Sequence, residues 1–148
     1  MTDEIRIEAN RNQVFSALND PEILHQAIPG CQELDQTSET ELTATVLAKV
    51  GPVKAKFRGV VTLSDINPPE SYTISGEGKG GAAGFAKGSA TVTLQSTDGI
   101  TVLNYDVEAK VGGKLAQLGS RIIDGFAKTL VWNFFNCNFF KSIFFNFS

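Results

Sequence analysis

Few side chains in this sequence suit covalent or acid–base chemistry, and spacing pairs none of them for it. The single histidine, His25, could act as a general base or donate a hydrogen bond to a ligand carbonyl. It sits among Ile23, Leu24 and Ala27, a setting that equally describes an ordinary helix histidine. Ser120 has no adjacent His or Asp to activate its hydroxyl, so no nucleophilic triad is visible. Cys31 and Cys137 are too few and too distant for a disulfide scaffold or a zinc site. Cys31 follows the turn Pro29-Gly30 and reads as a buried thiol. Arg121 and Asp124 stand three apart, as an i, i+3 helix pair does. Tyr72 and Tyr105 fall on the apolar phase of their segments, where a buried phenol wants a partner. A ligand oxygen would serve, and so would a backbone carbonyl or a water.

The run Gly76-Glu-Gly-Lys-Gly-Gly81 has the G-x-G-x-x-G spacing of a dinucleotide loop. That chemistry needs a helix N-terminus immediately afterwards, with free N–H groups aimed at a pyrophosphate. Here the following residues have strand character, so the run reads as a flexible hairpin in which glycine supplies positive φ. Phe85 is the large apolar residue of this loop, flanked by Lys79 and Lys87. It reads either as a plug over a cavity mouth or as an anchor packed on a sheet. The two lysines could meet an anionic enzyme surface or lipid headgroups, or could simply solvate the hairpin. Lys54, Lys56 and Arg58 alternate on one strand phase, a basic stripe of the kind that often only keeps a sheet soluble.

The elements that must carry these residues are legible from periodicity. Ile5 and Ile7 alternate with polar residues in a short first strand. Asn10 is placed to cap a helix holding Val14, Phe15 and Leu18, and Asp20-Pro21 opens a second short helix that Pro29-Gly30 ends. From Cys31 to Val111 the period is two, broken at Gly51-Pro52 and Asn67-Pro-Pro-Glu70, which predicts an antiparallel sheet with one buried face. After Gly112-Gly113 the period turns helical, with Leu115, Leu118, Ile122, Phe126 and Leu130 on one stripe. The class is therefore α+β. A curved sheet of about seven antiparallel strands grips a long C-terminal helix, with two short helices after the first strand.

The bulk numbers agree with one domain. The chain has 148 residues, 42% of them hydrophobic, which suffices for a core. A net charge of -3 and the absence of a Lys/Arg cluster argue against a nucleic-acid partner. No signal peptide or run long enough to span a membrane is visible, and two unpaired cysteines fit a reducing cytoplasmic setting.

The local wording resembles the carbon monoxide dehydrogenase CoxG family of the START-like, SRPBCC helix-grip superfamily. The resemblance rests on Ile28-Pro-Gly-Cys31, Gly51 to Gly59, Asp65 to Tyr72, Gly76 to Ala90 and Tyr105 to Gly125, and above all on Gly112-Gly-Lys-Leu-Ala-Gln-Leu-Gly-Ser-Arg121. It covers residues 1 to 130, the expected helix-grip domain. It implies an accessory protein, without catalytic residues or a covalently bound cofactor, that holds a respiratory quinone in an internal apolar cavity. It also implies a molybdenum-containing dehydrogenase as partner, with peripheral contact at the inner face of the membrane. Homodimerisation is a further expectation.

Residues 131–148 depart from the family pattern. Seven of the eleven phenylalanines lie there, in pairs every five residues, so the segment is apolar all round if helical. Burial against the sheet or another subunit, membrane contact, and an end read out of its native frame all remain open.

The expected ligand-binding set is Phe57, Val61, Tyr72, Ile74, Phe85, Val92, Leu103, Tyr105, Leu118, Ile122 and Phe126, and the partner-binding set is Lys79, Phe85 and Lys87. Phe85→Ala and Ile122→Trp are the substitutions the sequence nominates for weakening a ligand. Two other classes compete with the carrier. A helix-grip cyclase or hydrolase would need an acid–base pair in the cavity, and a purely structural adaptor would have a filled core.

Overall fold

The computed structural model describes residues 2–136. Strand β1 (Thr2–Ile7) leads into helices α1 (Arg11–Leu18) and α2 (Pro21–Ala27). The strands β2 (Cys31–Gln36), β3 (Glu41–Val50), β4 (Val53–Asn67), β5 (Ser71–Lys79), β6 (Phe85–Thr97) and β7 (Ile100–Gly112) follow, and α3 (Ser120–Asn136) closes the order. Both helix starts read from the sequence are built as expected. The Asn10 carboxamide oxygen accepts from the Gln13 N–H at 2.9 Å. The Asp20 carboxylate accepts from Glu22 at 2.9 Å, with Pro21 at the first helical position, where its missing N–H costs nothing.

The seven strands form one antiparallel sheet in the order β1-β7-β6-β5-β4-β3-β2. Six of the seven form a meander, and β1 returns to pair with β7, leaving β1 and β2 as the edges. The α1–α2 segment joins those edges, so the short helices span the open side of the curl. One inner face results, shared by α1 and α3. The segment Gly76–Gly81 is only partly a hairpin. Gly76 and Gly78 lie inside β5, and the turn to β6 is made by the 3-10 turn Gly81–Ala83.

The core fills one end of this grip. Leu63, Tyr72, Val92, Leu94, Leu103 and Tyr105 from the sheet meet Val14, Phe15 and Leu18 from α1 and Val131 from α3. Leu103, Val92 and Val14 are fully buried, each contributing about 1.5–3 kcal/mol by the area removed from water. Buried Thr101 donates its hydroxyl proton to the Ala9 carbonyl at 2.7 Å, which satisfies both groups where the chain leaves β1.

The last helix starts later than its periodicity suggests. Leu115–Leu118 is a separate 3-10 turn, and Gly119 at φ 89° resets the backbone before α3 begins at Ser120. The stripe drawn through Leu115, Leu118, Ile122 and Phe126 is therefore broken in two. The apolar residues that α3 turns inward are Ile123, Phe126, Ala127, Leu130, Val131 and Phe134, with Thr129 also on the cavity boundary. Helix α3 runs on to Asn136, and the Phe/Asn-rich segment beyond it lies outside the described residues.

Candidate functional site

The other end of the grip holds a cavity of about 540 Å³. Strand register explains why it is there. Along the inner face of β5 the side chains run Tyr72, Ile74, Gly76, Gly78. Along β6, in the same direction, they run Leu94, Val92, Ala90, Gly88, Ala86. The cross-strand row Tyr72–Val92–Tyr105 lies in the solid core. Two residues along, the row is Ile74–Ala90–Val107, and the next is Gly76–Gly88–Ala109, beside Val61 of β4. Side-chain volume falls row by row, the floor drops away from α3, and the gap between sheet and helix opens. Phe126, Ile123 and Leu130 of α3 form the roof, with Ile28 and Pro29 of the α2–β2 loop at the side.

Every inward strand position that bounds the cavity is apolar. The charged residues on its boundary, Lys49, Glu77, Lys87, Glu108 and Lys110, stand on the outward phase of their strands and are exposed. Such a wall can hold a lipophilic molecule by burial and shape, and its inward side chains offer no titratable group among the described residues.

The glycines are not equivalent. A Cβ on Gly76 would meet no atom within 4 Å, so its missing side chain leaves open space in the cavity. A Cβ on Gly59 would run into the carbonyl oxygen of Glu77 on the neighbouring strand, so that glycine allows close backbone approach. Sequence reasoning missed Gly76 as a cavity residue. Its signal was present, because Gly76, Gly78, Ala86 and Gly88 continue the inward phase of Ile74 and Ala90. Reading the run as a flexible turn concealed it.

Of the expected ligand-binding residues, the structure brings Phe57, Val61, Ile74 and Phe126 together on the cavity wall. Tyr72, Val92, Leu103 and Tyr105 are placed in the solid core instead, because they occupy the bulky rows of the taper. Leu118 sits in the 3-10 turn before α3, and Ile122 is exposed, its side chain beside Gly51 of the β3–β4 turn. Both are displaced by the phase reset at Gly119. Phe85 pairs with Gly112 on the outer face of the sheet and lays its ring over that glycine. It is therefore the sheet anchor of the two alternatives, and it covers no mouth. Of the partner-binding set, Lys79 is cross-strand from Arg58 and Phe85, and Lys87 is cross-strand from Glu77 and Lys110.

The two tyrosines differ in their surroundings. The Tyr105 phenol is held protonated by burial and by its hydrogen bond to the carboxylate of Asp3, its cross-strand partner. Tyr72 stacks edge-to-face on Phe15 at 5.6 Å, and burial alone pushes its phenol far above the ordinary value. Its hydroxyl has no hydrogen-bond partner among the described residues. Removing an unsatisfied buried hydroxyl is stabilising, so Tyr72→Phe is expected to raise the unfolding free energy by about 1 kcal/mol in urea titration. A destabilised variant would mean that the hydroxyl is bonded after all. The Cys31 thiol is pushed up by burial, an effect that outweighs its contact with the Glu33 carbonyl. That favours the inert thiol form.

Comparison with known proteins agrees with this architecture. The family model that describes the G subunit of carbon monoxide dehydrogenase (CoxG) matches residues 4–140. No curated protein matches the chain. Among solved structures, a conserved protein from Geobacillus kaustophilus is similar at 34% identity and TM-score 0.87, with 96% of this chain and 93% of that one covered. Ara h 8.0201 shares the fold at 14% identity and TM-score 0.68, covering 99% and 97% of the two chains. Protein Ms6760 from Mycobacterium smegmatis does so at 15% identity and TM-score 0.65, covering 99% and 91%. None of the helices among the described residues is long and apolar enough to cross a membrane. With the seven-stranded grip, the C-terminal helix and a family match over nearly its whole length, the chain belongs to the carbon monoxide dehydrogenase CoxG family, on the START-like helix-grip fold.

Proposed function

We propose that this protein is a non-catalytic carrier that holds a lipophilic ligand, a respiratory quinone, in the cavity between sheet and α3. It serves a molybdenum-containing carbon monoxide dehydrogenase-type enzyme at the inner face of the cell membrane. The observation that carries the reading is the cavity itself. Its 540 Å³ falls within the roughly 300–1,000 Å³ of small-molecule sites, and its inward strand positions are apolar throughout. The residues fit such a group. Gly76 leaves a cradle that any side chain would fill, Gly88 and Ala109 extend that floor, and Phe57 and Phe126 give aromatic surface on either side. A quinone, when bound, supplies the electron chemistry. The protein's own residues exclude water from it and hold it by shape. The family's name supports the choice of partner enzyme.

Native mass spectrometry of the purified chain, with an organic extract analysed in parallel, tests this. A co-purifying isoprenoid quinone or lipid near one per chain is the expected result. A bare protein that also fails to take up added quinone would overturn the carrier reading and leave a structural adaptor.

A further inference from the structure

One end of the cavity is walled by Val50 of β3, Leu115 of the 3-10 turn and Ile123 of α3. This end is covered, since Val50 and Leu115 are only 4% and 2% exposed. The first turn of α3 lies across it. Ile123 of that turn belongs to the roof, and the neighbouring Ile122 reaches the β3–β4 turn, where its Cγ2 lies 3.2 Å from the position of a Cβ on Gly51. Ile122 is otherwise an exposed isoleucine with no place in the core.

Two glycines bracket this turn. Gly119 precedes it at φ 89° and ψ 155°, a conformation essentially closed to any residue with a side chain. Gly125 follows it in the interior of α3, where glycine weakens a helix relative to alanine. A Cβ on either glycine would meet no atom within 4 Å, so close packing explains neither. The Thr129 hydroxyl donates to the Gly125 carbonyl at 3.0 Å, a back-bond that bends helices. The turn between the glycines is also weakly secured. The Ile123 N–H reaches the Gly119 carbonyl at a long 3.3 Å. The first turn has no acidic residue, and Arg121 places a cation at the positive end of the helix dipole.

We propose that residues 120–124 form a lid, hinged at Gly119 and Gly125 and latched by Ile122 on the β3–β4 turn, and that a lipophilic ligand enters beneath it. The inference rests on the carrier reading of the cavity and adds the route by which the cargo arrives. Lifting the turn parts Ile122 from Gly51 and withdraws Ile123 from the roof, while Phe126, Ala127 and Leu130 beyond the second hinge stay over the sheet. A half-exposed apolar latch suits this use, because little burial is lost on opening.

The test is stopped-flow fluorescence quenching of the full chain by decylubiquinone. Gly125→Ala stiffens the second hinge and should slow uptake and release alike by roughly four- to fivefold, the factor that corresponds to alanine's helix preference over glycine. Ile122→Ala removes the latch and should speed both by about threefold or more. Affinity should change less than either rate, since neither side chain lines the cavity. Rates unchanged in both folded variants would overturn the lid and place the entrance elsewhere. Hydrogen exchange of the ligand-free chain gives a readout that needs no cargo. The amides of 125–128 pair with carbonyls of the lid, so they should exchange faster than those of 129–131, more slowly in Gly125→Ala and faster still in Ile122→Ala. Uniform protection from 125 to 131 would also overturn the lid. The expected exchange pattern in a chain that takes up no quinone would sink the carrier reading alone.

Discussion

Replacing Gly76 with leucine is expected to weaken ligand uptake while leaving the protein at least as stable as before. The position is inward on β5, between Val61 and Gly88, where the floor of the cavity is lowest. A Cβ there meets nothing within 4 Å, so the new side chain enters open volume without displacing a neighbour. Removing a strand glycine also relieves about 0.5–1 kcal/mol of unfolded-chain entropy, and the leucine buries apolar surface against Phe126 and Val61. Affinity for quinone should fall by at least about tenfold, or roughly 1.4 kcal/mol, because the added volume is taken from the ligand's own. Isothermal titration or fluorescence quenching reads the first effect and a urea melt the second. Unchanged affinity in a folded Gly76→Leu protein would place the ligand elsewhere.

A valine at Gly59 should do the opposite. Gly59 and Gly78 are directly paired, and a side chain on Gly59 would collide with backbone atoms of Glu77 and Gly78. Backbone cannot move aside without parting β4 from β5, which together carry much of the cavity wall. The expected cost is about 3 kcal/mol, at the upper end of overpacking penalties, with a matching drop in the urea midpoint. A Gly59→Val protein as stable as wild type would show that the sheet can relax at this rung. The contrast is informative because Gly59 and Gly76 look alike in the sequence. One glycine permits close approach of two strands and the other leaves open volume.

The same contrast marks how far the sequence could be read. The strands, their turns and both short helices follow from local rules, because period-two alternation, Pro-Gly breaks and capping side chains act over a few residues. The wall residues Phe57, Val61 and Ile74 were legible for the same reason, since inward phase is a local property of a strand. Leu118 and Ile122 were placed inward because helical periodicity cannot register a single residue of positive φ. Gly119 resets the phase, and Ile123 takes the inward place. Tyr72 and Tyr105 share the inward phase with the cavity residues, and no local signal says that they stand in the bulky rows.

The sequence by itself therefore determined the class of fold, the order of its elements, the family and the apolar character of the inner face. The tertiary structure decided what depends on pairing between distant strands. It put the small residues of β5, β6 and β7 side by side, so that volume falls from Tyr72 to Gly76 and a cavity opens at one end. It also gathered lysines scattered over the strands onto that same end. Both results come from register, which is fixed by long-range hydrogen bonding and is invisible to any window of neighbouring residues.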